Sequence, residues 1–204
     1  MGFMSSLVNI GTLTLQTSIN KLGQNIIIAH TAARKISEIF MIMFSVFGQT
    51  MATYCGQNYG AGKPKRIWQG IKASGVMMLI YALLTFVVLM VGARTLALLF
   101  VDTTELEILK NTELFLHVSA YFFPFLGLLC ILRYTIQGAG YTNLAMLSGV
   151  SEMIARILIS LLAVPAFGYI AVCFGDPTAW IFADLFLIPA FAYVYRHILR
   201  MNKN

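Results

Sequence analysis

The 204-residue chain is 59% hydrophobic and only 11% charged, with a formal net charge of +6. A soluble domain carries roughly 25% charged residues. With a mean hydropathy of +0.80 and charge-free runs at 75–93 and 157–175, this composition excludes a soluble globular fold. The cationic excess then fits the positive-inside rule for membrane loops, not nucleic-acid binding.

Six apolar segments are predicted in chain order, at about 2–20, 31–55, 67–96, 113–136, 143–163 and 169–195. Each is near or above the roughly 20 residues a bilayer-spanning helix needs. Helices are the default because lipid satisfies no backbone hydrogen bond. The expected fold class is therefore an all-α membrane protein, a six-transmembrane-helix bundle forming one domain over 1–204.

In the first segment Thr12, Gln16 and Asn20 recur every four residues, which draws a polar stripe along one helix face suited to a wet cavity or a partner helix. The loop after the second segment carries Lys63, Lys65 and Arg66, and the tail carries Arg196, Arg200 and Lys203. An even number of spans separates them, so both lie on one side, expected to be cytoplasmic. The loop after the third segment holds Asp102, Glu105, Glu107 and Glu113 against Lys110 and is expected outside. Both termini are then cytoplasmic, in a plasma (inner) membrane. Lys21, Arg34 and Lys35 flank the first hairpin on the expected outer side and oppose this orientation. Arg34 can pair with Glu38 one turn along. In the fourth segment Tyr121, Phe122, Phe123 and Phe125 surround Pro124, a cluster that suits either a cavity for flat cations or ordinary packing.

Charged groups at membrane depth are costly and are functional candidates by default. Glu152 lies some ten residues into the fifth segment, ~15 Å deep at about 1.5 Å per residue. Arg156 follows at i+4, on the same face and able to pair with it. Either the pair holds helices together, or the carboxyl serves substrate or proton. Asp184 sits mid-span in the last segment, five residues before Pro189; pairing with Arg156 and capping the proline bend are both open to it. No chemistry of catalysis is legible: HExxH and GxSxG are absent. Cys55, Cys130 and Cys173 form no CxxC, and His30, His117 and His197 have no metal-ligand spacing. No enzyme activity, cofactor or metal is expected.

The most informative stretch is Gly56-Gln57-Asn58-Tyr59-Gly60-Ala61-Gly62-Lys63-Pro64-Lys65-Arg66. It is not a phosphate-binding loop, because five residues separate Gly56 from Gly62 and Pro64 stands where Ser or Thr is required. As plain physics it is a glycine hinge between spans. It also resembles the GQN-x-GAGK-x-x-RI loop of MATE (multidrug and toxic compound extrusion) transporters, matched at Gly56, Gln57, Asn58, Gly60, Gly62 and Arg66. Further stretches agree in the same order: Leu15–Gly23, Ala29–Ala33, Gln137–Thr142, Ser148–Glu152 with Arg156, Asp176–Trp180 and Ala183–Pro189. The likeness covers only the family's second lobe, helices seven to twelve, so the first-lobe coupling aspartate has no position here.

The resemblance implies export of organic cations and drugs, coupled to Na⁺ or H⁺ and worked by alternating access against an N-terminal six-helix lobe. Gln16, Asn20, Glu152, Arg156 and Asp184 are the candidates to face the cavity. A lipid-linked glycan flippase and an inactive or split-gene structural half are the alternatives.

Overall fold

Glycine turns set the lengths of the helices. The computed structural model describes residues 2–201, which are mostly helical and contain no strand; Lys203 of the expected tail lies outside them. The helices are α1 (Gly2–Ile19), α2 (Gln24–Gly60), α3 (Pro64–Ala97), α4 (Leu106–Gly138), α5 (Thr142–Leu158), α6 (Val164–Phe167), α7 (Tyr169–Cys173) and α8 (Gly175–Met201). A π-helical segment, Ile159–Ala163, joins α5 to α6. Gln24–Gly60, Pro64–Ala97, Leu106–Gly138, Thr142–Phe167 and Gly175–Arg200 are each long and apolar enough to cross a membrane. The 18-residue α1 packs along α5 as a further long element. The chain is thus an all-α membrane bundle.

The helices overrun the apolar windows because α-helix continues past the lipid-like stretch until a residue stops it. At the end of α2 the stop is Gly62, with φ +65. Gly62 N–H donates to Tyr59 O (3.0 Å) and Lys63 N–H to Asn58 O (2.8 Å), the paired bonds of a Schellman turn. The end of α4 repeats it at Gly140, φ +90, with Gly140 N–H to Gln137 O (3.0 Å) and Tyr141 N–H to Ile136 O (3.1 Å). Both turns read Gly-Ala-Gly in the sequence.

The sixth segment departs from a continuous span over 169–195. It breaks at Phe174, between α7 and α8. Pro177 has no N–H to bond the carbonyl of Cys173, four residues back, so the helical bonding is not carried across the break. The fifth segment, expected to end at 163, instead widens into the π turn and runs on to Phe167.

α4 is the inner helix. Phe123 on α4 is fully buried between Phe44 of α2 (ring centroids 5.4 Å) and Trp180 of α8 (6.1 Å). The aromatics around Pro124 therefore do not line one cavity. Phe123 is core, while Tyr121 packs on Phe86 at the periphery and is 60% exposed. α3 turns Val76, Ile80, Leu83, Val87 and Val91 outward, as a lipid-facing helix should. One end of the bundle gathers the 61–63 turn, the 139–141 turn and the end of α8, joined by Tyr141 Oη to His197 Nδ1 (2.6 Å) and Trp68 against Phe191 (6.2 Å). The opposite end brings the start of α2 to the acidic loop, through Asn25 Nδ2 donating to Glu107 Oε2 (2.9 Å).

α2 and α4 touch backbone to backbone. A Cβ on Gly138 would lie 2.9 Å from Ala52 Cα, 3.0 Å from its carbonyl carbon and closer still to its oxygen. Gly56 faces Gly138 O across the same crossing. Gly138→Ala should therefore overpack this seam and cost about 1–3 kcal/mol. Gly92→Ala, where a Cβ meets nothing within 4 Å, should be neutral or slightly stabilising. Thermal unfolding of the two variants in detergent checks this, and equal midpoints would refute the tight crossing.

Candidate functional site

Along α5 and into the π-helical segment, Ser148, Glu152, Arg156 and Ser160 recur every four residues, and all four are buried. That spacing puts them on one face, over ~18 Å at about 1.5 Å per residue. The stripe turns inward, toward α4, α8 and α1. α1 comes close because it has Gly11 there: a Cβ would lie 3.0 Å from Met153 Cα and 3.4 Å from Arg156 Cβ. At the far end Ser160 Oγ donates to Thr14 O (3.0 Å) and meets Ser18 Oγ (2.7 Å), which ties α1 to the π-helical segment.

The charges form a chain of alternating sign through the bundle. Arg133 of α4 donates Nε to Ser148 Oγ (2.8 Å) and Nη2 to Glu152 Oε1. Glu152 Oε2 accepts from Arg156 Nη1 and Nη2, both at 3.3 Å. Arg156 Nε donates to Asp176 Oδ1 (3.0 Å) at the start of α8. Asp176 Oδ2 accepts from Arg34 Nη1 on α2, and Arg34 reaches Glu38 at 3.7 Å. Glu152 and Asp176 are thus each shared by two arginines. A lone charge here would be very costly, whereas paired and hydrogen-bonded charges are tolerated.

Asp184 lies on the flank of this chain, within electrostatic reach of Arg133 and Glu152. It is 4% exposed, and neither carboxyl oxygen has a hydrogen-bond partner among the described residues. It neither pairs with Arg156 nor caps the turn before Pro189. On the other flank, Thr12, Gln16, His30, Arg34 and Asp176 line a small cavity of about 50 Å³. His30 Nδ1, also buried, has no partner there among the described residues. Gln16 reaches this cavity, while Asn20 is exposed and accepts from Gln16 Nε2 (3.0 Å).

Of the five candidates, then, Glu152 and Arg156 bond directly, and Gln16 borders their network through Asp176. Asn20 lies at the rim, and Asp184 stands beside the network without a hydrogen bond. Among the loop-motif residues, Gln57 and Asn58 cap the end of α2 with their carbonyls. Asn58 Nδ2 also donates to Tyr54 O (2.8 Å). Gly60 and Gly62 form the turn, and Arg66 is exposed on α3, its carbonyl accepting from Tyr54 Oη (3.1 Å). Sequence reasoning missed Arg133, Asp176 and Arg34 as members of the network. Arg133 carried a signal, a charge inside an apolar segment, but it stood close to that segment's expected end.

The MatE family model matches residues 1–162. The chain is similar to the probable multidrug resistance protein YpnP of Bacillus subtilis (strain 168), 24% identical over 139 residues, which cover 68% of this chain and 31% of that protein. A crystal structure of a MATE point mutant superposes with a TM-score of 0.82 at 14% identity, over 92% of this chain and 42% of that one. A MOP-superfamily transporter from Pyrococcus furiosus, described as having a reversed-polarity binding pocket that suggests a different function, superposes at 0.79 with 13% identity, over 91% and 41%. The chain therefore spans less than half the length of these relatives.

Glu152→Gln takes the only carboxylate from Arg133 among the described residues and leaves Arg156 with Asp176 alone, so it should cost roughly 3–5 kcal/mol. Glu38→Gln, whose side chain is 59% exposed, should cost less than about 1 kcal/mol. Adding Arg156→Leu to Glu152→Gln should recover part of the loss. Heating in detergent with a thiol-reactive dye reads unfolding directly, because Cys55, Cys130 and Cys173 are all buried. Additive single and double variants would dismiss the pairing.

Proposed function

The chain belongs to the MatE family, and from that premise we propose that it works as one six-helix lobe of a multidrug-efflux transporter exporting organic cations in exchange for Na⁺ or H⁺. It is a multi-pass membrane protein of a transporter family. The observation that carries the finer reading is the buried chain of ion pairs with Asp184 beside it. Ionisable groups at membrane depth mark ion and substrate pathways. Glu152 and Asp176 are each held by two arginines, whereas Asp184 makes no hydrogen bond among the described residues. It is the carboxyl free to take up or release a cation without dismantling the bundle.

Alternating access requires a second body for this lobe to rock against. The match to 31% of one relative and 42% of another supports a partner lobe of similar size, in the same polypeptide or another. Ethidium efflux from proteoliposomes, under an imposed Na⁺ or H⁺ gradient, tests the reading. Efflux is expected when this lobe is combined with a six-helix partner lobe, and not from these 204 residues alone. Asp184→Asn should abolish the gradient dependence while leaving the thermal midpoint near its original value. Gradient-driven efflux that survives Asp184→Asn would reject that role, and efflux from the chain alone would make a homodimer the working unit.

The orientation follows from charge. The end with Lys63 and Arg200 is cytoplasmic and the end with Glu105 faces outward, in the plasma membrane. Single cysteines at 63, 105 and 200, on a background lacking Cys55, Cys130 and Cys173, are labelled in intact cells with an impermeant maleimide. Reaction at 105 alone is expected; reaction at 63 and 200 but not at 105 would invert the bundle.

A further inference from the structure

The end of the bundle formed by α3 and α8 is strongly basic. Lys63, Lys65, Arg66, Lys72, Arg196 and Arg200 are all exposed there. The chain has no Asp or Glu over 56–101 or 185–204. None of these six cations is paired with a carboxylate among the described residues. Opposite-sign pairing is thus not supplied by the described residues.

This end also carries an aromatic platform. Trp68 of α3 stacks on Phe191 (6.2 Å, 12° between planes) and leans on Tyr195 of α8 (5.6 Å). Trp68 is 40% exposed. Lys72, one turn deeper on α3, bends back so that Nζ lies 5.5 Å from the Trp68 ring centroid. A lysine that turns its ammonium toward the helix end, over an indole, is placed for the level of lipid headgroups.

Below it lies an apolar groove between α3 and α4, of about 190 Å³, lined by Gly75, Met78, Leu79, Pro124, Leu128 and Ile131. Gly75 leaves it open, since a Cβ there would meet nothing within 4 Å. Trp68, Lys72, Gly75 and Leu79 follow one face of α3 at i, i+4, i+7 and i+11. Headgroup-level cations and an apolar track are therefore in line, ~10 Å apart from Lys72 to Leu79 at about 1.5 Å per residue.

We propose that this corner is a binding site for one anionic phospholipid, its phosphate held by Lys72, Lys65 and Arg196 beside Trp68 and an acyl chain laid in the Gly75–Leu128 groove. Each cation near an anionic lipid surface contributes on the order of five-fold in association, so a site with three should select strongly over a zwitterionic lipid. The selection is local and independent of transport.

Trp68 is its own reporter. The intact chain is reconstituted in vesicles of phosphatidylcholine doped with either brominated phosphatidylglycerol or brominated phosphatidylcholine. The Trp68 signal is the difference between this protein and Trp68→Phe, which leaves only the buried Trp180. Brominated phosphatidylglycerol should reach half-maximal quenching at a several-fold lower mole fraction than brominated phosphatidylcholine. Lys65→Gln, Lys72→Gln and Arg196→Gln combined should remove the preference while leaving quenching by phosphatidylcholine and the helical circular dichroism unchanged. Lys21→Gln with Lys35→Gln, at the other end, should leave the preference intact. Equal quenching by the two lipids, a preference that survives the triple change, or one lost equally on changing Lys21 and Lys35 would each overturn the site.

Discussion

Everything in this bundle is arranged around Glu152. It is one carboxylate in an apolar interior, and each of its oxygens serves a different arginine. In water such an arrangement would be one of many. In a medium with no competing solvent it dictates which helices must touch. Arg133 brings α4 to α5, and Arg156 passes the connection to Asp176 and so to α8. Asp176 in turn holds Arg34 and therefore α2. A helix bundle in lipid gains little from excluding water between its helices, so polar contacts and close packing must specify which faces meet. Four of the long helices meet through this one series of charges.

Much of the fold was legible because membrane depth and helical period are local properties of sequence. The apolar windows placed the long helices, and i,i+4 spacing predicted the contacts of Glu152 with Arg156 and of Arg34 with Glu38. What the sequence did not reveal was long-range. Arg133 and Glu152 are on different helices, and no periodicity links them. Asp176 stood out only as part of a family-like stretch in the last segment, when it is the bridge between Arg156 and Arg34. Asp184 was singled out by depth, yet the partners suggested for it are occupied elsewhere. The break at Phe174 depends on Pro177, whose missing N–H is felt four residues back, at the carbonyl of Cys173.

The two Gly-Ala-Gly turns explain why the motif residues cluster where they do. Both close a long helix with the same pair of backbone bonds, and both lie at the basic end of the bundle. A stretch that first suggests ligand binding therefore has a sufficient conformational reason at Gly62 and Gly140. The proposed function rests instead on Asp184, whose carboxyl makes no hydrogen bond among the described residues.

The two seams within the lobe differ in stiffness. Between α2 and α4 the contact is main chain on main chain at Gly138 and Ala52, with no side chain to yield, so a sliding motion there meets hard repulsion at once. Between α1 and the π-helical stretch after α5 the contact is made by hydroxyls of Ser18 and Ser160 and the carbonyl of Thr14. Hydroxyls can rotate to exchange one acceptor for another. The lobe is therefore mechanically lopsided, with α2 and α4 acting as its keel and the contact between α1 and the π-helical stretch able to yield.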